Sequence, residues 1–160
     1  MAVRVIDNFI RPYQFKELQN AFLGSHFPWY FNGDTTQEGD GMFKYTHRLD
    51  RVETEPSAYL VFLHPIFDEL SADKFYRINA NSLHRTRFFN RSTGYHIDNY
   101  PCSKTAIFYV NTNNGYTKFE GGGKVKSVAN RMVIFDSKLE HQGVTSTDQK
   151  ARVVINFNYV

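Results

Sequence analysis

The chain has 160 residues, of which 41% are hydrophobic and 16% aromatic, and its formal net charge is +3. These values allow one well-filled core and exclude two ordinary domains, so we expect a single domain over residues 1–160. The charge is too small to indicate a nucleic-acid partner, and no apolar run approaches the length of a membrane span.

Cysteine content and the first residues bear on the compartment. The single cysteine, Cys102, cannot form an internal disulfide, which is typical of proteins in a reducing compartment. The stretch from Met1 to Val5 contains no apolar signal core. We therefore expect a cytoplasmic protein without a membrane partner, while the sequence leaves the oligomeric state open.

The first half of the sequence predicts two helices and two short strands. Residues 4–9 and 42–48 are apolar or alternating runs of strand length. Apolar residues recur at helical spacing in 12–23, which Gly24 follows, and again in 56–70. Each of these two segments is therefore predicted as an amphipathic helix.

Two irregular segments are candidates for loops at a functional site, because long loops in compact domains are usually functional or mobile. Residues 33–41 are polar and rich in glycine, and the only tryptophan, Trp29, precedes them. Trp29 either packs on the end of a barrel or lines a substrate cleft. Residues 85–91 contain three arginines, among them Arg87, and form either a solvated loop or a lid over an anionic substrate.

The second half of the sequence consists of short strands joined by turns. The predicted strands are residues 75–81, 94–98, 104–111, 124–127, 130–135 and 152–159. Many short strands at this spacing are typical of a jelly roll or barrel. We therefore predict a mainly β fold with α, a double-stranded β-helix whose N-terminal helices pack on one sheet.

A histidine and a carboxylate are spaced as metal ligands in one predicted strand. His96 and Asp98 are two residues apart, so in an extended strand their side chains point to the same face. His141, just past an apolar strand, is the only histidine that follows them. Two histidines and one carboxylate leave three positions of an octahedral ferrous ion open, which is the arrangement of non-haem iron oxygenases.

The last predicted strand has two different faces. Val153, Ile155 and Phe157 alternate with Arg152 and Val154, which predicts that Arg152 points into the barrel. A buried arginine requires an anionic partner, because an unpaired interior charge is strongly disfavoured. A dicarboxylate held by iron at one end supplies this partner at its other end, where the planar guanidinium can form two parallel hydrogen bonds.

Four stretches of the second half carry a resemblance to known proteins. Residues 95–99 read YHIDN, residues 105–111 read TAIFYVN, residues 115–119 read GYTKF, and residues 134–144 end in EHQGV. In that order they resemble the YHxDN stretch, the YLN strand, the GGxTxF turn and the distal-histidine region of one family. This family is the Fe(II)- and 2-oxoglutarate-dependent oxygenases, in its prolyl-4-hydroxylase-like branch with compact microbial and phage members. Tyr116 stands in place of the second glycine of the turn.

The resemblance implies the cofactors and the residues that bind them. Fe(II), 2-oxoglutarate as co-substrate and O2 are the implied cofactors. His96, Asp98 and His141 are implied to bind the iron. Arg152 is implied to bind the C5 carboxylate of 2-oxoglutarate, to which Tyr109 adds its hydroxyl. The collagen-acting members of the branch have lysine where this chain has Arg152.

The implied activity is hydroxylation of a C–H bond with release of succinate and carbon dioxide, and a peptidyl proline is one candidate substrate. Trp29, Asn81 and Arg87 are predicted to contact the substrate, which is a protein, a peptide or a small molecule. Alternatives are a non-catalytic jelly-roll binding module, an oxygenase acting on a small molecule or nucleic acid, and a zinc hydrolase with the same ligands. Nucleic-acid dealkylases of the family have a second arginine where this chain has Asn156 and Asn158.

Overall fold

The computed structural model describes residues 3–98 and 100–160, which consist mainly of β-strands. The strands are β1 (Arg4–Ile6), β2 (Tyr30–Asn32), β3 (Lys44–Arg51), β4 (Phe75–His84), β5 (Lys104–Tyr109), β6 (Tyr116–Phe119), β7 (Lys124–Lys126), β8 (Arg131–Asp136), β9 (His141–Val144) and β10 (Ala151–Tyr159). The helices are α1 (Pro12–Leu23), a 3-10 helix over Ala58–Leu63, and α2 (His64–Leu70). No helix in the described ranges is both long enough and apolar enough to cross a membrane.

The strands form two antiparallel sheets. The large sheet has seven strands in the order β1-β8-β5-β10-β4-β3-β2, and the small sheet has three in the order β7-β6-β9. Phe119 and Val125 of the small sheet pack against Tyr109, Val133 and Val154 of the large one. The predicted jelly roll, a double-stranded β-helix with helices on one sheet, is confirmed.

The central strand β10 separates the two faces of the large sheet. Val153, Ile155 and Phe157 belong to the core beneath the helices, whereas Arg152 and Val154 face the small sheet. The alternation follows from the two-residue period of a strand, and it confirms the predicted inward direction of Arg152. The face between the sheets is therefore the one that can hold a polar site.

Helix α1 covers the other face of the large sheet. Leu18 and Phe22 are fully buried, and the ring of Phe15 lies 6.1 Å from the ring of Phe108 on β5. Full burial of one such side chain contributes about 1.5–3 kcal/mol. The helix thus fixes the sheet from behind without entering the face between the sheets.

The predicted helix over residues 56–70 is divided into two. A 3-10 helix occupies Ala58–Leu63, and α2 begins at His64 with Pro65 in its first turn. Proline has no N–H for the helical hydrogen bond and its ring clashes with the residue four positions earlier, so one continuous α-helix cannot pass through it.

Residues 94–98, predicted as a strand, do not form a regular strand. Gly94 has a φ of +86°, and the only pairing in this segment is an isolated bridge between His96 and His141. Asn99, the last residue of the YHxDN-like stretch, lies outside the described residues. Strands β2, β6 and β9 were not predicted, because they are only three or four residues long and lie in polar or glycine-containing segments.

Candidate metal centre and its cavity

A cavity of about 470 Å³ lies between the two sheets. The large sheet contributes Asn81, Arg152, Val154 and Asn156 to its wall, and the small sheet contributes Thr117 and His141. His96 and Asp98 line the cavity from the segment that precedes β5. One cavity therefore contains all three predicted metal ligands and the predicted cofactor arginine.

The three predicted metal ligands converge at one point of this cavity. One ligand atom from each of His96, Asp98 and His141 lies within 4.8 Å of the other two. The backbones of His96 and His141 exchange two hydrogen bonds of 3.0 Å, so the bridge between them holds the two imidazoles side by side. A single backbone bridge thus replaces the predicted strand in positioning the ligands.

Backbone carbonyls orient both imidazoles for metal binding. Nδ1 of His96 lies 3.3 Å from the carbonyl of Gly94, and Nδ1 of His141 lies 3.0 Å from the carbonyl of Leu139. A carbonyl only accepts hydrogen bonds, so each Nδ1 carries the proton and each Nε2 keeps a free lone pair. Metal-ligating histidines are commonly oriented in this way.

The free nitrogen of His141 provides a test of whether a metal fits. Nε2 of His141 is buried without a hydrogen-bond partner among the described residues, and it lies 4.0 Å from Oδ2 of Asp98. Burial, followed by the neighbouring His141, lowers the pKa of His96, so this imidazole favours its neutral, ligating form. Two imidazole lone pairs beside one carboxylate are a donor set that suits a divalent transition metal.

Two neighbouring strands orient the carboxylate of Asp98. Oδ2 accepts a hydrogen bond of 2.7 Å from the Thr105 hydroxyl and one of 2.9 Å from Nδ2 of Asn158. Thr105 and Asn158 are fully buried and are cross-strand partners on β5 and β10. Both donors therefore hold one oxygen of the carboxylate in a fixed position.

Arg152 is a buried cation held by neutral groups. Its Nε donates to the Ser127 hydroxyl and its Nη2 to the Thr117 hydroxyl, both at 2.9 Å, and its guanidinium lies 5.5 Å from the centre of the Tyr109 ring. No carboxylate of the described residues lies within 4.0 Å of it. Burial lowers the pKa of Arg152, as expected for a charge removed from water. The guanidinium is therefore prepared for an anionic ligand.

Gly115 allows Arg152 to reach this position. A Cβ atom at Gly115 would lie 2.8 Å from Cδ of Arg152 and 2.7 Å from the carbonyl oxygen of Val144. Both separations are shorter than a carbon atom tolerates, so a larger residue would displace the strand or the arginine. Gly115, in the turn that resembles the family's GGxTxF motif, thus leaves the space that the side chain of Arg152 occupies.

Tyr109 lies behind the cavity wall. Its hydroxyl forms a hydrogen bond of 2.7 Å with the Thr117 hydroxyl, and burial raises its pKa, so the phenol stays neutral. Thr117, which the sequence did not single out, connects Tyr109 to Arg152. The predicted contact of Tyr109 with a carboxylate stays a prediction.

The three predicted substrate residues have different locations. Asn81 lines the cavity. Trp29 packs against the core on the helical side, with its ring 4.7 Å from that of Phe27, and the guanidinium of the exposed Arg87 lies over the ring of Phe88. Neither Trp29 nor Arg87 is among the described residues that line the cavity. Trp29 thus takes the first of its two predicted positions and packs partly buried against the core, while the predicted substrate contacts of all three residues stay predictions.

No protein-family model and no curated protein matches this sequence. Solved structures match its fold. A prolyl-4-hydroxylase from Pseudomonas putida matches with a TM-score of 0.65 and 14% identity, over 98% of this chain and 91% of that chain. A prolyl hydroxylase from Trichoplax adhaerens, in complex with a peptide fragment of the hypoxia inducible factor oxygen degradation domain, matches with a TM-score of 0.68 and 14% identity, over 98% and 82%.

A third similar structure is the epimerase SnoN in complex with Fe3+, alpha ketoglutarate and nogalamycin RO. It matches with a TM-score of 0.69 and 11% identity, over 99% of this chain and 78% of that chain. At these identities the similarity shows a shared fold. The chain therefore has the fold of the 2-oxoglutarate- and iron-dependent oxygenases, which confirms the fold that the sequence motifs implied.

Proposed function

We propose that the protein is an Fe(II)- and 2-oxoglutarate-dependent dioxygenase that hydroxylates a C–H bond and releases succinate and carbon dioxide. One observation supports this more than any other. Arg152 is buried and has no carboxylate partner among the described residues, and it shares a single cavity with the converging side chains of His96, Asp98 and His141. A dicarboxylate is the ligand that can contact both groups at once.

The metal face fits ferrous iron. His96 and His141 would bind it through Nε2 and Asp98 through its carboxylate, because these donors already converge and are oriented from behind. Three protein ligands leave positions for other ligands. When bound, iron supplies the activation of O2, coupled to the oxidative decarboxylation of 2-oxoglutarate.

The remaining residues of the cavity position 2-oxoglutarate and exclude water. The guanidinium of Arg152 binds the distal carboxylate, and the hydroxyl of Thr117 keeps the guanidinium oriented. Ile107 and Val154 give this end of the cavity an apolar wall. A dry and preorganised site strengthens each of these polar contacts.

Two kinds of substrate are supported by the similar structures. The Trichoplax adhaerens enzyme is bound to a peptide, and SnoN is bound to nogalamycin RO. A peptidyl proline is therefore one candidate substrate of this chain, and a small molecule is the other. Stacking of a proline ring on Trp29 does not support the first candidate, since Trp29 is not among the described residues that line the cavity.

Two rival functions are less compatible with the site. Nε2 of His141, buried without a partner among the described residues, and the buried guanidinium of Arg152 line the same cavity. Burying either group is costly, and a non-catalytic binding module has no need for them. A zinc hydrolase could use the same ligands but needs a general base. The only carboxylate among the described residues that line the cavity is Asp98, which is itself a ligand.

The decisive experiment adds 2-oxoglutarate to the iron-loaded protein without oxygen and records the visible spectrum. We expect a charge-transfer band, followed by succinate formation when oxygen is admitted. His141→Ala should lose both signals, and His26→Ala, which changes an exposed histidine outside the cavity, should keep both. Absence of the band and of succinate in the wild-type protein would reject the proposed function.

A further inference from the structure

A second group of cations lines the cavity apart from Arg152. Lys44 and Arg51 lie at the two ends of β3, and Arg77 lies on β4 directly opposite Arg51 in the sheet register. The only acidic side chain among the described residues of the cavity wall is Asp98, the proposed metal ligand. The wall therefore carries more positive charge than its own carboxylate compensates.

These cations have few partners within the protein. Lys44 Nζ donates to the backbone carbonyl of Thr35, and the guanidinium of Arg77 lies 5.4 Å from the centre of the Tyr100 ring. Within residues 3–98 and 100–160, no carboxylate approaches Lys44, Arg51 or Arg77 to 4.0 Å. Arg51 and Arg77 are cross-strand partners on the cavity wall, so their charges repel one another. An anion between them would relieve this repulsion.

The sheet register places Arg77 beside the metal face and away from Arg152. Arg77 is the cross-strand partner of Asn158, which donates to Asp98. Arg152 pairs with Leu83, six residues further along β4, which corresponds to roughly 20 Å along a strand. Lys44 pairs with the same Leu83 from β3, so it lies at the Arg152 end of the wall. The anion that Arg77 can bind is therefore a different group from the one that Arg152 can bind.

A buried acceptor lies on the same wall between these two ends. Asn156 lines the cavity from β10, and its Oδ1 is buried without a hydrogen-bond partner among the described residues. A buried acceptor that lacks a donor costs about 1–3 kcal/mol. A hydroxyl or amine of a bound molecule would satisfy it.

We infer that the substrate is a small anionic molecule whose phosphate or carboxylate group binds between Arg51 and Arg77, at the end of the cavity away from Arg152. This inference rests on the proposed function and names the substrate class of that site. The cavity, about 470 Å³, has the size of small-molecule sites and also accommodates 2-oxoglutarate. The cations line this cavity itself, so a small molecule fits them better than a polymer does.

The first test measures binding without turnover. The full-length chain is loaded with zinc, which the same ligands accept, and saturated with 2-oxoglutarate so that Arg152 is occupied. It is then titrated with inorganic phosphate while backbone amide signals are followed by NMR. We expect phosphate to shift the signals of β3 and β4 around Arg51 and Arg77.

Matched variants show whether the cavity cations bind the phosphate. Arg51→Gln and Arg77→Gln should each weaken binding by about tenfold, and Arg77→Lys should retain it. Lys16→Gln on α1 and Arg4→Gln on β1 change exposed cations outside the cavity and should bind as the wild type does. Equal binding in all variants, or shifts only outside β3 and β4, would overturn the inference.

The second test identifies the source of the anion. Iron-loaded enzyme with 2-oxoglutarate and oxygen is given the neutral and the anionic fractions of a metabolite extract, a single-stranded oligonucleotide and a glutamate-rich peptide. Succinate and a mass gain of one oxygen are measured. We expect stimulation by the anionic small-molecule fraction, and a loss of this stimulation in Arg77→Gln.

The remaining outcomes separate this inference from the proposed function. Stimulation by the neutral fraction, by the oligonucleotide or peptide alone, or by nothing would overturn the anionic small-molecule substrate. In these cases a normal charge-transfer band and a slow succinate formation without substrate would leave the dioxygenase proposal intact. Loss of the band itself would reject the proposed function.

Discussion

The two ends of the cavity both present cations, but they are built from different parts of the molecule. Arg152 is buried, and its donors are held by hydroxyl groups of Ser127 and Thr117. At the other end Arg77 is half-buried against Tyr100, and Arg51 is exposed. The first end is made of strands packed in a core, and the second lies where β3 ends and β4 begins, beside loops.

This difference indicates which part of the site is suited to which ligand. An arginine fixed by buried hydrogen bonds cannot adapt, and so it suits a ligand that is the same in every turnover, as 2-oxoglutarate is. Loops and sheet edges tolerate change more readily than packed strands do, and they commonly carry specificity. We therefore expect substitutions at the two ends to affect different kinetic constants.

The largest effect is expected where the two ends meet, at the metal face. Asp98→Ala should abolish metal binding and succinate formation, because it removes the only carboxylate of the ligand set. Metal content is measured by elemental analysis and folding by circular dichroism. Asp68→Ala, which changes an exposed carboxylate on α2, is the control, and a metal content in Asp98→Ala equal to that of this control would contradict the ligand assignment.

The next effect isolates the buried end. Arg152→Ala should weaken 2-oxoglutarate binding by about 2–5 kcal/mol, the usual cost of truncating one partner of a buried charge pair. Binding is measured by calorimetry with metal-loaded protein under nitrogen. Arg152→Lys should lose less, since it keeps the charge but not the planar fork. Unchanged 2-oxoglutarate affinity in Arg152→Ala would mean that the dicarboxylate binds elsewhere.

A smaller effect on the same constant is expected from Thr117. Thr117→Val keeps the shape of the side chain but leaves Nη2 of Arg152 and the hydroxyl of Tyr109 without their shared partner. An unsatisfied buried group costs about 1–3 kcal/mol, so both the melting temperature and the 2-oxoglutarate affinity should fall. Thr117→Ser retains the hydroxyl and should behave as the wild type. A Thr117→Val protein with normal 2-oxoglutarate affinity would show that Thr117 does not orient the guanidinium.

The sequence predicted those parts of the site that depend on local spacing. His96 and Asp98 share a face at a separation of two residues, and Arg152 follows from the alternation of β10. The partners that orient them depend on which strands become neighbours. Thr105 and Asn158 meet at Asp98 only because β5 pairs with β10 in one register, which no local pattern reveals.

The same limit applies to the substrate end. Arg77 lines the cavity because β4 lies beside β10, a pairing that no local pattern shows. The arginines of residues 85–91 were predicted as a candidate lid because they lie close together in the sequence. Trp29 shows a related limit, since an aromatic residue next to a polar loop has the same local pattern whether it packs against a core or lines a cleft. The extent of the strands could not be predicted from composition either, since Gly94 has a positive φ that ends regular pairing and β9 has only four residues.

A loop at the lip of the cavity, before Lys44, is organised by Asp40. Its carboxylate accepts hydrogen bonds from the backbone N–H groups of Thr35, Thr36 and Met42, and from the Thr35 hydroxyl. These bonds, that of the Thr35 hydroxyl first, hold the pKa of Asp40 well below its usual range. The lip therefore stays ordered through the neutral and mildly acidic pH range, because a carboxyl with a lowered pKa loses its stabilising charge only as the pH falls through that lowered value.

The smallest predicted effect tests whether this lip serves only the substrate. Asp40→Asn keeps the size of the side chain but loses the charge that gathers these donors, so the loop before Lys44 should become less ordered. We expect the substrate KM to rise several-fold, while the 2-oxoglutarate KM and the metal content stay unchanged. Steady-state kinetics with each ligand varied in turn separates the two constants. Asp34→Asn, in the same loop but with a half-buried carboxylate that accepts from the backbone N–H of Gly39, is the matched control. A parallel rise of both KM values in Asp40→Asn would show that the two ends of the cavity are not independent.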